Sequence, residues 1–346
     1  QFGWAPLAFA SDWQRPPRQM NGTSFFYAHT SQWRHEKLHV DEIMAPTAGD
    51  KAMSKMSLID FNAKSERMGW LPSAPQLETN PLDIVRAAEE AGKEAVPYAV
   101  EQIKAGKLNF SCDDPDNPKN FPRNMFVWRS NILGSSGKGH EYFLKYLLGT
   151  QNAVFGDENA AVKPSEVKYR EQAAEGKLDL LVVLDFRMST TCLYGDIVLP
   201  SATWYEKDDL NTSDMHPFIH PLSEAVQPLW QSKSDWEIYK GLAKKFSEIA
   251  KDYLGTRKDL VLTPLMHDTP SELGQPFEPK DWKKGECEPI PGKTMPSMTV
   301  VERNYGDVYK KFTSIGPLLD KLGNGGKGIN WNTEHEVHEI GDLNKV

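Results

Sequence analysis

Three stretches of this sequence combine residue types and positions that could do chemistry. The loop Gly134-Ser135-Ser136-Gly137-Lys138-Gly139 follows the apolar run MFVW and precedes residues at helical spacing. Backbone N–H groups at such a junction, with the helix dipole behind them, favour an anion, and phosphate is the natural guest. The loop is not a Walker A sequence, because two residues separate Gly134 from Gly137-Lys138 and Gly139 stands where Ser or Thr is needed. It also lacks GxGxxG spacing, and a plain tight turn remains an alternative reading. Asp185 ends the run LDLLVVLD, where its carboxylate could accept two hydrogen bonds from a sugar diol or from the N1 and N2 edge of guanine. The alternative is a cap for a helix beginning in RMSTT. Finally, DIVLP is followed by Ser201, Thr203, Glu206 and Lys207, hydroxyls and a cation that suit a second phosphate contact, against simple solvation of Lys207.

Other patterns carry less. His216 and His220 have i, i+4 spacing, but Pro217 lies between them and no Glu completes HExxH, so a zinc site is not expected. HEVHE, residues 335–339, reads as a solvated helix face, and GNGGKG near the C-terminus as a flexible loop. With no local pairing of nucleophile and base, the sequence assigns neither a catalytic residue nor a metal ligand.

The elements that must position these residues follow from periodicity. Residues 1 to about 80 are aromatic, rich in Pro and Gly and weakly periodic, and read as long loops with short elements packed onto something else. NPLDIVRAAEEAGKEAVPYAVEQIKAG reads as two short helices, with Pro97 in the first turn of the second. FSCDDPDNPKNFPRN is turn chemistry and sets a boundary near Asn120. Strand, loop and helix follow through MFVWRSNILGSSGKGHEYFLKYLLG; KLDLLVVLDF then supplies a buried parallel strand and DIVLP a short one. At Ser234 a capping box with Glu237 opens a helix whose Trp236, Tyr239, Leu242, Ala243, Phe246 and Ile249 share one face. Strands alternating with helices give an α/β fold with a parallel sheet. The partition is a Rossmann-like domain over 121–255 with flanking segments 1–120 and 256–346, the latter a loop-rich return.

Composition bounds the answer. The chain has 346 residues, 39% hydrophobic and 25% charged, enough for a sizeable core. Its ten tryptophans demand burial or an interface. A net charge of −8 offers no field for nucleic acid. Cys112, Cys192 and Cys287 make neither a CxxC site nor a complete disulfide set, which fits a reducing compartment. The opening Gln1 and QFGWAPLAFASDW carry no signal-peptide pattern, so the sequence reads as starting within a longer protein or after processing. No apolar run approaches the roughly 20 residues of a membrane helix, so direct membrane insertion is not expected.

Taken together, WRSNILGSSGKGHEYFLKYLLGT, KLDLLVVLDFRMSTTCLYGDIVLPSATWYEKDDLNTSDMHPFIHPL and KSDWEIYKGLAKKFSE resemble the catalytic alpha subunits of membrane-bound respiratory nitrate reductases, among the molybdopterin-dinucleotide oxidoreductases. The resemblance extends through the flanks, from GWAPLAFASDWQRPP to GPLLDKLGNGGKGI. After Glu206 the sequence KDDLNTSDMHPFIHPL departs from the wider family's pattern and is similar to the nitrate-reductase version, with nitrite-oxidising relatives or a generic nucleotide-binding module as alternatives. The resemblance implies a molybdenum bis(molybdopterin guanine dinucleotide) cofactor, with Arg129, Ser130, Asn131, Ser135 and Ser136 along the phosphate and pterin side of one dinucleotide and Gly137 and Lys138 beside them. It implies that Asp185 reads guanine and that Ser201, Lys207 and Asp214 add contacts. It further implies a [4Fe-4S] cluster whose ligands lie outside this chain, an iron-sulfur beta subunit, a cytochrome b gamma subunit, nitrate as substrate, and residence at the cytoplasmic face of the membrane through those partners. The chain alone is expected to lack activity.

Overall fold

A computed structural model describes residues 34, 36–42, 55–70, 76–135, 140–150, 163–213, 216–265, 280–313, 324–326, 329–331 and 335. Three strands, β1 (Asn124–Trp128), β2 (Leu180–Asp185) and β3 (Ile197–Pro200), form a parallel sheet in that order. Trp128 stands opposite Leu184, and Asp185 opposite Pro200. Strand β2 is the continuous apolar run that the sequence marks as buried on both faces, and Leu181 to Leu184 are all 4% exposed or less. One face packs with Val127 and Cys192, the other with Leu199, Ile238 and Tyr239.

Between β1 and β2 lie a single helical turn, α4 (Ile132–Ser135), and a π-helix over Tyr142–Leu147. The π-turn puts Tyr142, Tyr146 and Leu147 together against Met125 and Leu178. After β2 comes the short α5 (Thr190–Leu193). The second face of the sheet is covered by α6 (Asp235–Tyr253). Its predicted capping box is present: the Glu237 N–H donates to Ser234 Oγ at 3.2 Å and the Ser234 N–H to Glu237 Oε2 at 3.1 Å. Its buried side differs from the predicted stripe. Asp235, Ile238, Ser247 and Ala250 are buried, whereas Trp236, Leu242, Phe246 and Ile249 are exposed. Trp236 instead stacks on Phe312 of α7 (Val308–Thr313), with ring centroids 4.8 Å apart. The position of the sheet, rather than apolar periodicity alone, selects the face that is buried.

A second apolar core is assembled from distant stretches. Helix α1 (Leu58–Arg67), capped by Ser57, is regular structure within a region that the sequence reads as loops. Helices α2 (Pro81–Glu90) and α3 (Ala95–Lys104) are the predicted pair, with Pro97 in the first turn of α3 and Gly92 taking φ +67° between them. They pack on an antiparallel pair, β6 (Thr256–Thr263) and β7 (Ser297–Asn304), in the stretch expected to be loop-rich. Ile59, Ile84, Ala99, Phe110, Leu260 and Met295 share this core, and Val167 joins it from the irregular segment before β2. The loop expectation failed because the partner of TRKDLVLT lies some forty residues on, beyond any local signal. GNGGKG likewise contributes to a hairpin, Asn324–Gly326 pairing with Ile329–Trp331. Asp209–Ser213 (β4) and His216–Leu222 (β5) form another.

Charge ties these stretches together. Arg67 is fully buried, and its guanidinium donates to Asp113 Oδ1 at 2.8 Å and Glu166 Oε2 at 2.6 Å. The Asp60 carboxylate accepts backbone N–H groups from Ser165, Glu166 and Val167 at 2.7 to 3.0 Å. Substituting Arg67→Met removes the buried partner of Asp113 and Glu166, leaving them Lys283 and Lys284, and is expected to cost about 3 kcal/mol in urea denaturation, more than an exposed pair such as Arg86–Asp83 would cost.

Candidate functional site at the carboxyl edge of the sheet

The parallel strands end side by side at Trp128, Asp185 and Pro200, and the ladder continues for one more residue. The Arg129 N–H donates to Leu184 O at 2.8 Å, and the Ser201 N–H to Asp185 O at 3.0 Å. Arg129 and Asp185, each one residue past the Trp128–Leu184 pair, and Ser201, one residue past the Asp185–Pro200 pair, thus gather at the edge where open α/β sheets bind ligands. Asp185 is buried, and its Oδ1 accepts the Arg187 N–H at 3.3 Å. The alternative role as a cap for α5 does not hold, since Ser189 occupies that position. The Ser201 hydroxyl is buried with no hydrogen-bond partner among the described residues.

Arg129 adopts φ +54°, a left-handed backbone that costs a non-glycine residue roughly 1 to 2 kcal/mol. Its side chain closes on a residue that the motifs did not single out. Arg129 Nε donates to Asp235 Oδ1 at 3.3 Å, and Nη2 lies 2.6 Å from Asp235 Oδ2. Lys207 Nζ reaches the same Oδ2 at 3.0 Å and Asp209 Oδ2 at 2.7 Å, while Trp128 Nε1 donates to Oδ1 at 3.0 Å. Burial alone would raise the Asp235 carboxyl. Hydrogen bonds from Lys207 and Trp128, with the charges of Arg129 and Lys207, outweigh that and hold it below the usual carboxylate range. The sequence signal was weak: an acid in the first turn of a capped helix is ordinarily a dipole partner.

Asn131 and Ser135 shape the loop from within. Asn131 Oδ1 accepts from the Thr191 N–H at 3.2 Å and its hydroxyl at 3.1 Å, joining the turn after β1 to α5. Ser135 Oγ donates to Asn131 O at 2.6 Å, and Ser130 is half-buried beside them. A Cβ on Gly134 would fall 2.4 Å from Asn131 Nδ2, so glycine is needed for Asn131 to keep its tie to Thr191. Ser136, Gly137, Lys138 and Asp214 lie outside the described residues.

Sequence reasoning missed an aromatic element on the same edge. Phe186 and the exposed Trp204 lie 5.2 Å apart by ring centroid, and the Arg129 and Arg187 guanidinium carbons sit 5.8 and 5.0 Å from the Phe186 centroid. A cavity of 660 Å³ adjoins the Lys207 flank, but Glu206, Asp208, Asp209, Glu224 and Glu237 line it against Lys207 and Lys233. The excess of carboxylates disfavours an anion in that cavity. Among the described residues no group of three or more His, Cys, Asp or Glu is placed to hold a metal ion, and no helix is long and apolar enough to cross a membrane.

The three-stranded parallel sheet with its helices defines an α/β fold, and its carboxyl edge presents an arginine, a carboxylate and a buried hydroxyl where such sheets characteristically take ligands. The molybdopterin oxidoreductase family profile matches residues 43–245, and the chain belongs to that family. It is 61% identical to the respiratory nitrate reductase 2 alpha chain and 60% identical to the respiratory nitrate reductase 1 alpha chain of Escherichia coli (strain K12), each over 99% of this chain. It is 49% identical to the nitrate reductase alpha chain of Bacillus subtilis (strain 168) over 98%. The chain spans 28% of the length of each of these relatives.

Two outcomes are expected. The depressed Asp235 carboxyl contributes stability that is present above the ordinary value of about 3.9 and is lost as pH falls through its lower folded value. Urea titrations repeated at falling pH should therefore show a shallower acid limb for Asp235→Asn than for wild type. Gly134→Ala should displace the Asn131 carboxamide and cost about 1 to 3 kcal/mol. Combined with Asn131→Ala it should cost much less than the sum, because the second change removes the atoms the new Cβ strikes.

Proposed function

We propose that this chain is a section of the catalytic alpha subunit of a respiratory nitrate reductase, and that its part is to hold one dinucleotide of a molybdenum bis(molybdopterin guanine dinucleotide) cofactor. Family membership supports a molybdenum–pterin cofactor. The residues present fit the guanine dinucleotide form. Asp185 has spent Oδ1 on a backbone N–H, and Oδ2 has no partner among the described residues; it could accept from the guanine edge. The Ser201 hydroxyl, one residue past the Asp185–Pro200 pair, is buried with no partner among the described residues. Among the described residues Arg129 Nη1 has no hydrogen-bond partner and remains available to a phosphate oxygen.

When bound, the cofactor would supply the redox chemistry for oxygen-atom transfer from nitrate. This chain's residues fix where that group sits: Asp185 selects the base, Ser201 and Arg129 meet the phosphate side, and Asn131 braces the turn between them. Lys207 is buried between Asp235 and Asp209 and acts by holding Asp235. Ser136, Gly137, Lys138 and Asp214 complete the set that the resemblance implies. In the whole enzyme, electrons arrive from an iron-sulfur beta subunit and a cytochrome b gamma subunit at the cytoplasmic face of the membrane. Residues 1–120 and 256–346 belong to one neighbouring, discontinuous domain around 121–255; the apolar core shared between Ile59–Cys112 and Leu260–Met295 supports their association, and Val167 and Tyr169 join it from within 121–255.

The observation that carries this reading is the gathering of Arg129, Asp185 and Ser201 at the carboxyl edge of the sheet. Calorimetric titration of GMP, AMP and NAD into the chain should show a preference for GMP. Asp185→Ala should remove that preference, a loss of about 1.5 to 3 kcal/mol for one charge-assisted pair. A clear preference for adenine would favour a generic nucleotide-binding domain instead. With a reduced viologen dye, the chain by itself is expected not to turn over nitrate.

A further inference from the structure

We propose that Asp235 is the positioning residue for the phosphate side of this site, pinning the Arg129 guanidinium so that Nη1 is the donor left for a phosphate oxygen. The inference rests on the reading that a guanine nucleotide occupies the carboxyl edge. Both Asp235 oxygens are fully used: Oδ1 takes Trp128 Nε1 and Arg129 Nε, and Oδ2 takes Arg129 Nη2 and Lys207 Nζ. The carboxylate therefore grips the guanidinium along its Nε–Nη2 side, which fixes the ring of donors in one plane. The grip joins the end of β1, the segment after β3 and the first turn of α6.

Arg129 needs such a restraint. Its backbone is held in the left-handed region, and a free arginine side chain would lose rotamer entropy each time a ligand engaged it. Charge points the same way. Arg129 and Lys207 are balanced by Asp235 and Asp209, so the unliganded cluster is close to neutral. A phosphate then adds charge that Nη1 meets without first breaking the clamp. An ion pair serving stability alone would alter melting and leave the discrimination between ligands unchanged.

The test uses the ratio of GDP to guanosine affinity, measured by calorimetry on the full chain, because the base contribution cancels from it. Asp235→Asn keeps size but cannot accept on both oxygens, and should lower the ratio about tenfold while guanosine affinity stays within twofold. Asp235→Glu should restore most of the ratio, since the charge returns. Trp128→Phe removes one donor and no charge, and should lower the ratio by about two- to threefold even if Asp235→Asn fails to fold. A wild-type chain that binds GDP but whose ratio is unmoved by these substitutions, whatever happens to melting, overturns the role of Asp235. A wild-type chain that binds neither ligand overturns the nucleotide reading itself, and the inference falls with it.

Discussion

Strand β2 is buried on both faces, and this constraint organises the site. With Leu181 to Leu184 withdrawn from water, β2 must have a strand on each side to satisfy its backbone and an apolar layer above and below. Its carboxyl end is then the one place where the chain leaves the sheet together with its neighbours. The hydrogen bonds from the Arg129 and Ser201 N–H groups to Leu184 and Asp185 carry the ladder one residue past the strands. Arg129, Asp185 and Ser201 are thereby set at fixed spacing by the backbone.

The second organising element is electrostatic. Arg129 and Lys207 lie where their charges are partly or wholly removed from water, and Asp235 makes that tolerable by accepting from both. Exchanging hydration for several charge-assisted bonds in a confined geometry restricts each side chain to one arrangement, which a binding site requires. The strain at Arg129 is offset by the bonds its own backbone and side chain make. Packing of α6 on β2 brings Asp235 to this point, so the helix that covers the sheet also sets the charge at its edge.

Buried charge does similar work in the second core. Arg67 links α1 to Asp113 and Glu166, and Lys177 meets Asp116 at 2.6 Å with both side chains wholly buried. Burial pulls the Lys177 ammonium below its ordinary value despite that partner, a sign of how strongly the interior is desolvated there. Because unpaired buried charges are so unfavourable, such pairs hold segments of distant sequence in one register. They explain how α1, the turn near Asp113 and the stretch around Glu166 stay together although they are far apart in the chain.

By itself the sequence determined what depends on near neighbours. The apolar run LDLLVVLD required a buried parallel strand ending in Asp185; Ser234 and Glu237 required a helix start; Asn80, Pro81 and Pro97 bounded the two helices that follow. It also marked Asp185 and Ser201 as candidate binding residues, since each stands at or just past a strand end, while Arg129 was marked by the family resemblance. Tertiary structure alone decided what depends on distant partners. Asp235 is an ordinary first-turn acid until Trp128, Arg129 and Lys207 are brought to it from 28 to 107 positions away. TRKDLVLT reads as loop until SMTVVERN pairs with it, and the apolar stripe of α6 cannot say which side meets the sheet. Periodicity and capping act within a few residues, whereas charge clusters, strand partners and the buried face of a helix are set by contacts that exist only once the chain has folded.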